Sequence, residues 1–277
     1  MKLSTIAIAA AAVGLSAGAF YASGIAFPGS ALDAAEASRF MPEAAAAGTA
    51  TQSASTRQKA PRSVGKPTVV EFFTTQSCSS CPPADKVAAK LKDDPNLVVI
   101  SRAVTYWDRL GWTDTLGRQA NTDLQRAYAR RTLDGRNGVY TPQAVVNGRS
   151  GVVGHREREL RGLIADARPA SADIDVQANE AGGYTVTLSG KAGGSANVTL
   201  VALDRTETVQ VGRGENRGRT LTYHNVLRGE ERLGSWNGGS KAFTVGADRM
   251  KVPGANRYAV IVQDGTAGPI LGGSYLS

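Results

Sequence analysis

The 277-residue chain is 42% hydrophobic, 20% charged and 6% aromatic, with 32 glycines and 11 prolines. That composition suits a globular protein and excludes collagen, a long coiled coil and a polytopic membrane protein, while two cysteines are too few for a disulfide-stapled miniprotein. Thirty-two basic against 24 acidic residues give a net charge of +8, but no run of five like charges occurs and aromatic groups are not interleaved with the basic ones, so the excess reads as solvated surface and not as a nucleic-acid face.

In chain order, Lys2 precedes an uncharged, alanine-rich stretch from Leu3 to Leu32. A short positive region before small apolar residues is the pattern of a signal peptide, and the run is also long enough for an uncleaved anchor. Residues 1–32 therefore predict export, periplasmic or secreted, with membrane attachment only through this segment if it stays uncut. Residues 33–66 are rich in alanine, serine, threonine and proline. They carry too little bulky apolar surface for a core, which predicts a flexible linker.

Residues 67–168 alternate strand and helix signals. Thr68 to Phe73 is β-branched and aromatic and predicts a buried strand. A helix follows, with Val87, Ala88 and Leu91 at helical spacing and Pro82 and Pro83 in a first turn that does not need their missing amide donors. Asp94-Pro95-Asn96 breaks it before a second strand, Leu97 to Val104. A polar, partly helical stretch runs through Leu124 and Tyr128. Asn147-Gly148, between Ala144 to Val146 and Gly151 to Val153, signals a hairpin. Leu160, Leu163, Ile164 and Ala167 then mark one face of a closing helix.

Cys78-Ser79-Ser80-Cys81 falls where the first strand gives way to the first helix. In that place a CxxC pair reads as a redox site, because the spacing lets the sulfurs meet while the helix amino terminus stabilises a thiolate. Cys78 is the expected nucleophile, and Cys81 the thiol that resolves the mixed disulfide. A structural disulfide competes with this reading, although it would close only a tiny loop. A closed zinc site would have to draw on His155 and His224, the two histidines of the chain. Thr141-Pro142 precedes the hairpin, the place where a thioredoxin-like arrangement sets a cis proline against the dithiol and exposes backbone to an extended substrate. Trp107 and Trp112 are candidates for a substrate groove or for the core. Asp108 is a candidate for proton transfer, against the commoner role of a loop aspartate in holding a turn.

After Pro169 short strand signals recur between glycine or polar turns: Ile174 to Gln177, Tyr184 to Leu188, Val198 to Leu203, Thr220 to Val226, Ala242 to Val245 and Tyr258 to Gln263. This spacing predicts a sandwich or barrel. His224 reads as a packed or solvent-facing strand residue. The glycine-containing stretch Arg213 to Arg219 is expected either to lie against the cysteine unit or to form a free surface loop.

Three stretches, Val70 to Asp85 around the cysteines, Tyr106-Trp107-Asp108-Arg109-Leu110-Gly111-Trp112 and Val139-Tyr140-Thr141-Pro142-Gln143, together with Gly214 to Gly218, resemble the DUF1223 family. The resemblance implies an exported protein with a thioredoxin-like domain, a β-rich domain and thiol redox activity. Where that family commonly has a histidine and an aspartate before Tyr-Trp-Asp, this chain has Ala103 and Thr105, so no role can rest on those side chains. The expectation is an α/β thioredoxin-like domain over 67–168 followed by an all-β sandwich-like domain over 169–277. Its expected activity is that of an exported thiol-disulfide oxidoreductase acting on protein or peptide thiols and disulfides, with a redox partner protein and with no cofactor, metal or nucleic acid. The alternative is a non-catalytic envelope binding protein whose cysteine pair is structural or binds copper(I), a metal that suits thiolates.

Overall fold

Strand β1 (Thr68–Thr74) is buried along its whole length, and its alternating Val69 and Val70, Phe72 and Phe73 supply apolar side chains to both faces of a sheet. It belongs to a computed structural model that describes residues 66–276. The predicted signal or anchor and the linker up to residue 65 lie outside the described residues. Among the described residues no helix is long and apolar enough to cross a membrane.

Helix α1 (Pro82–Leu91) carries the chain from β1 to β2 (Leu97–Ala103), which pairs with β1 in parallel from Thr68↔Leu97 to Thr74↔Ala103. Helix α2 (Gln119–Ala129) follows, and then β3 (Gln143–Val146) pairs antiparallel with the other edge of β1. β3 turns back into β4 (Ser150–Val153) through Asn147 and Gly148, both at positive φ. Only glycine suits the second position, because a Cβ there would lie 2.5 Å from Gly268 O. Helix α3 (Glu157–Ala165) closes this part. It packs with α1 on one sheet face, where Val70, Phe72, Val87, Leu91, Val99 and Leu160 form one apolar cluster.

The strands that follow are β5 (Ala172–Ala178), β6 (Tyr184–Gly190), β7 (Ala196–Gln210), β8 (Thr220–Trp236), β9 (Lys241–Val245), β10 (Arg257–Asp264) and β11 (Ile270–Tyr275). Here the expectation of an α/β thioredoxin-like domain followed by an all-β sandwich-like domain is overturned. One mixed eight-stranded sheet runs in the order β11-β10-β7-β8-β2-β1-β3-β4, and a small sheet, β5-β6-β9, accompanies it. The physical reason lies at the edge of β2. That strand is buried from end to end, so an open edge would leave backbone donors and acceptors unpaired in an apolar setting. β8 takes the edge at Ser101↔Val226, and Ser101 Oγ donates to His224 O at 2.7 Å. One turn of strand earlier, the Tyr275 hydroxyl accepts the Val99 N–H at 3.0 Å and lies 3.2 Å from Val99 O.

Two further cores hold the large sheet. On one face Val198, Leu200, Trp236, Val260 and Val262 pack against Val186, Leu188 and Val245 of the small sheet. On the other, Val69, Val98 and Ile100 meet Val201, Leu203, Ala259, Ile261 and Ile270, so the β10–β11 end folds over the β1–β2 part. Gly273 makes that approach possible, since a Cβ on it would sit 2.5 Å from Val69 Cγ2.

Candidate functional site

Both cysteines stand on the short path from β1 to α1. Cys81 is the N-cap of α1, its carbonyl accepting the Ala84 and Asp85 amides at 2.8 and 3.1 Å, and its own N–H donates to Cys78 O at 3.2 Å. Both side chains are buried and unbridged, with Ser79 and Ser80 exposed between them. Cys78 Sγ lies 3.0 Å from Ser80 Oγ and 4.0 Å from Thr141 O. The Thr141-Pro142 bond is cis, and Pro142 packs under Gly154, whose Cβ position is 3.1 Å from Ala84 Cβ and 3.3 Å from Pro142 Cβ. The structure thus brings Cys78, Cys81, Thr141 and Pro142 together.

The two thiols are set far apart in acidity. The Cys81 S–H donates to Cys78 and pulls it down to about 5, against partial burial, with Ser80 and Thr141 adding to the fall. Burial pushes Cys81 far above the ordinary thiol range, and the same hydrogen bond and the Cys78 charge push it further. One sulfur is therefore a thiolate at neutral pH and the other a reserve of one proton.

Of the remaining sequence candidates, Trp112 directly and Asp108 through Asp114 hold the cysteine loop from its flank. Trp112 donates its indole N–H to Gln76 Oε1 at 2.8 Å, and its ring fills the space where a Gly212 Cβ would come within 2.5 Å. Trp107 is partly buried against the cluster of Phe73, Val104 and Tyr128. Asp108 accepts the Asp114 N–H at 3.1 Å. Asp114, raised chiefly by burial, in turn accepts from Thr75 Oγ1 at 2.9 Å and Gln76 N at 2.7 Å. Asp108 thus reaches the cysteine loop through Asp114.

The tip of the β7–β8 hairpin closes the other flank, where Arg213 to Arg219 lies against the cysteine loop. Asn216, fully buried, donates through Nδ2 to Gln76 O at 2.9 Å and to Cys78 O at 2.8 Å. Glu215 N donates to Ser77 O at 3.2 Å, and Glu215 Oε2 accepts the Ser79 N–H at 2.8 Å. Gly214, at φ +80, lets the tip approach, since a Cβ on it would lie 3.1 Å from Ser77 Oγ.

Residues 69–263 match the family model described as a protein of unknown function, DUF1223. The chain belongs to the DUF1223 family. Among solved structures this DUF1223 protein is similar to a crystal structure of a protein from Agrobacterium tumefaciens, at 30% identity and a TM-score of 0.63, over 77% of this chain and 93% of that one. It is also similar to HBP35 of Porphyromonas gingivalis at 16% identity and a TM-score of 0.45, over 76% and 74% of the two chains. No curated protein matches.

Several side chains of this DUF1223 protein surround the pair without having been given a role in the sequence. Asp85, Tyr106 and Tyr223 are among them, and Asp85 had a legible signal as a carboxylate on the same helical face as Ala84, Val87, Ala88 and Leu91. Ser77 Oγ, Thr141 Oγ1 and Tyr106 Oη are buried without a hydrogen-bond partner. Among the described residues no group of three or more His, Cys, Asp or Glu side chains is arranged to hold a metal. The buried Asn216 amide carries the tightest prediction about the hairpin tip. Asn216→Ala leaves the buried Gln76 carbonyl unpaired and takes one of two donors from Cys78 O, and is expected to lower stability by about 2 kcal/mol in urea unfolding. Glu215→Ala, which removes an exposed acceptor, is expected to change it by less than about 1 kcal/mol.

Proposed function

We propose that this protein is a thiol-disulfide oxidoreductase that acts on protein or peptide disulfides outside the cytoplasm. The observation that carries the reading is the unbridged Cys78–Cys81 pair at the start of α1 with the cis Thr141-Pro142 bond beside Cys78 Sγ, and a Cys78 thiol lowered to about 5 beside a raised Cys81 agrees with it. In this reading the Cys78 thiolate attacks a substrate disulfide, releasing one substrate sulfur and forming a mixed disulfide. Cys81 then attacks Cys78 Sγ, releases the second substrate sulfur and closes the Cys78–Cys81 bond. Thr141 O beside Cys78 Sγ offers a backbone acceptor to an extended peptide. Trp107 and Trp112 are both part-exposed. The expectation of export rests on the composition of residues 1–32 and agrees with a chemistry that needs substrate disulfides.

The test is exchange with a peptide disulfide carrying a quenched fluorophore pair. A thiolate that ionises near 5 gives a rate of attack that is flat from pH 6 to 8 and halved near pH 5, because protonation below that value removes the nucleophile. An absence of exchange, or a midpoint near the ordinary thiol value, overturns the reading.

A further inference from the structure

Away from the cysteines, a cavity of about 570 Å³ lies between α2 and the β8–β7–β10 part of the large sheet. Its volume falls in the range of roughly 300–1,000 Å³ usual for small-ligand pockets. The sheet wall follows from strand register. Thr199 of β7 stands opposite Arg232 of β8, and Asn197 stands opposite Gln263 of β10, so these four side chains share one face. Farther along the same strands that face carries Val201 and Leu203 into the core against β1 and β2, whereas beside α2 it turns polar. The helix wall is apolar. Ala120, Leu124 and Ala127 recur at four- and three-residue spacing on α2 and line the cavity.

The charges around this space do not balance. Each carboxylate that lines it already has a cation: Glu230 pairs with Arg102 at 2.7 Å, and Asp123 pairs with Arg126 at 3.3 Å. Two guanidiniums that line it, Arg232 and Arg130, have no carboxylate partner among the described residues. Arg232 is nevertheless held in place by neutral acceptors, since its Nε donates to Asn197 Oδ1 at 3.0 Å and its Nη2 to Ser235 Oγ. Asn197 is itself fixed, because its Nδ2 donates to Gly265 O at 2.8 Å. Holding a long side chain in one orientation costs rotamer entropy, and here it leaves the Nη1 donors of a fixed cation unused. The Thr199 hydroxyl opposite Arg232 likewise has no partner among the described residues.

We propose that this cavity binds a small organic carboxylate with an apolar body, its carboxylate on Arg232 and Thr199 and its apolar part against Ala120, Leu124 and Ala127. Arg130 adds a second positive charge to the same space. A carboxylate matches the planar fork of a guanidinium and accepts a hydroxyl as well. An inorganic anion would leave the helix wall in water, and an uncharged apolar molecule would leave both guanidiniums uncompensated. The site shares no residue with the cysteine loop and does not depend on the exchange reading.

Hexanoate titrated into the isotope-labelled full chain is the probe, with the Arg232 Nε–H and the Asn197 and Gln263 side-chain amides as nuclear magnetic resonance reporters. Saturable shifts with a Kd of about 1 mM or tighter are expected. Acetate should bind at least about 10-fold more weakly, because it covers little of the apolar wall. Hexanamide and hexylammonium at equal ionic strength should also bind at least about 10-fold more weakly, the first lacking the charge and the second reversing it. Arg232→Gln is expected to weaken hexanoate about 10-fold. Ala120→Asp, which suits the first turn of α2 and sets a like charge on the helix wall, should weaken it by about the same factor. No saturable shift up to about 20 mM hexanoate overturns the site. Equal binding of hexanamide or hexylammonium overturns the carboxylate, and equal binding of acetate overturns the apolar body. Unchanged affinity in both Arg232→Gln and Ala120→Asp protein overturns the assignment to this cavity.

Discussion

Cys81→Ser protein is expected to accumulate a mixed disulfide on Cys78 that persists at least about 10³-fold longer than in the wild type. The chain has two cysteines, so removal of Cys81 leaves no internal thiol to resolve the intermediate. Resolution then depends on external thiols, which lack the high effective concentration of a sulfur held one helical turn away. Cys78 itself keeps its Ser80 and Thr141 neighbours, and the serine hydroxyl replaces the S–H as the donor that does most to lower it, so its attack should stay close to the wild-type rate. Cys78→Ser, in contrast, should form no adduct at any pH, because the remaining thiol is buried and fully protonated. Non-reducing electrophoresis and intact mass after reaction with a peptide disulfide read both results. Adduct formation by Cys78→Ser protein at the wild-type rate would falsify the assignment of the nucleophile.

Arg102→Ala is expected to lower stability by about 3–5 kcal/mol. Arg102 sits in β2 at 3% exposure, Glu71 in β1 at 1%. Their ion pair is 2.6 Å long, and Arg102 Nη2 reaches Glu230 of β8 at 2.7 Å. Burial works against the Arg102 charge, and Glu230 and Glu71 more than offset it. The Tyr128 hydroxyl donates to Glu71 Oε2 at 2.7 Å and accepts from Gln263 Nε2 at 2.8 Å. Without the guanidinium, Glu71 is left as an uncompensated charge in the interior, and the cross-link from β1 through β2 to β8 is lost. Urea unfolding measures the change. Replacing Glu71, Arg102 and Glu230 together by leucine should restore most of the stability, since the penalty comes from orphaned charge and not from the absence of an ion pair. A loss below about 1 kcal/mol for Arg102→Ala would show that the network contributes little.

The first part of the fold was legible because its elements are short and locally encoded. The buried run Thr68 to Phe73, the proline-led start of α1 and the Asn147-Gly148 turn all stand where the sequence places them. The second part was legible as strands but not as pairings. β7 and β8 continue through Arg205 to Gln210 and Gly229 to Trp236, where polar and glycine residues hide the strand pattern. β11 contains Gly272 and Gly273, whose lack of a side chain is a demand of packing against Ala172 and Val69. No local signal tells β8 that it will meet β2 at Ser101↔Val226, and that single junction makes one sheet of the strands expected in two. At the site, the cysteines and Thr141-Pro142 could be placed together from spacing and order. Asp85 could have been flagged as a carboxylate on an apolar helix face, whereas Tyr223 comes from a strand whose position depends on that same distant pairing.

The hairpin tip has a consequence for the newborn chain. Asn216 follows Cys78 by 138 residues, and at the usual pace of synthesis, about 5–20 residues per second, it emerges roughly 7 to 28 s after the cysteine. For that interval the segment around Cys78 has neither Asn216 nor β8 beside it, and its thiols are open to any oxidant or partner. An encounter with a maturation factor during those seconds meets a different surface from the one the finished protein presents.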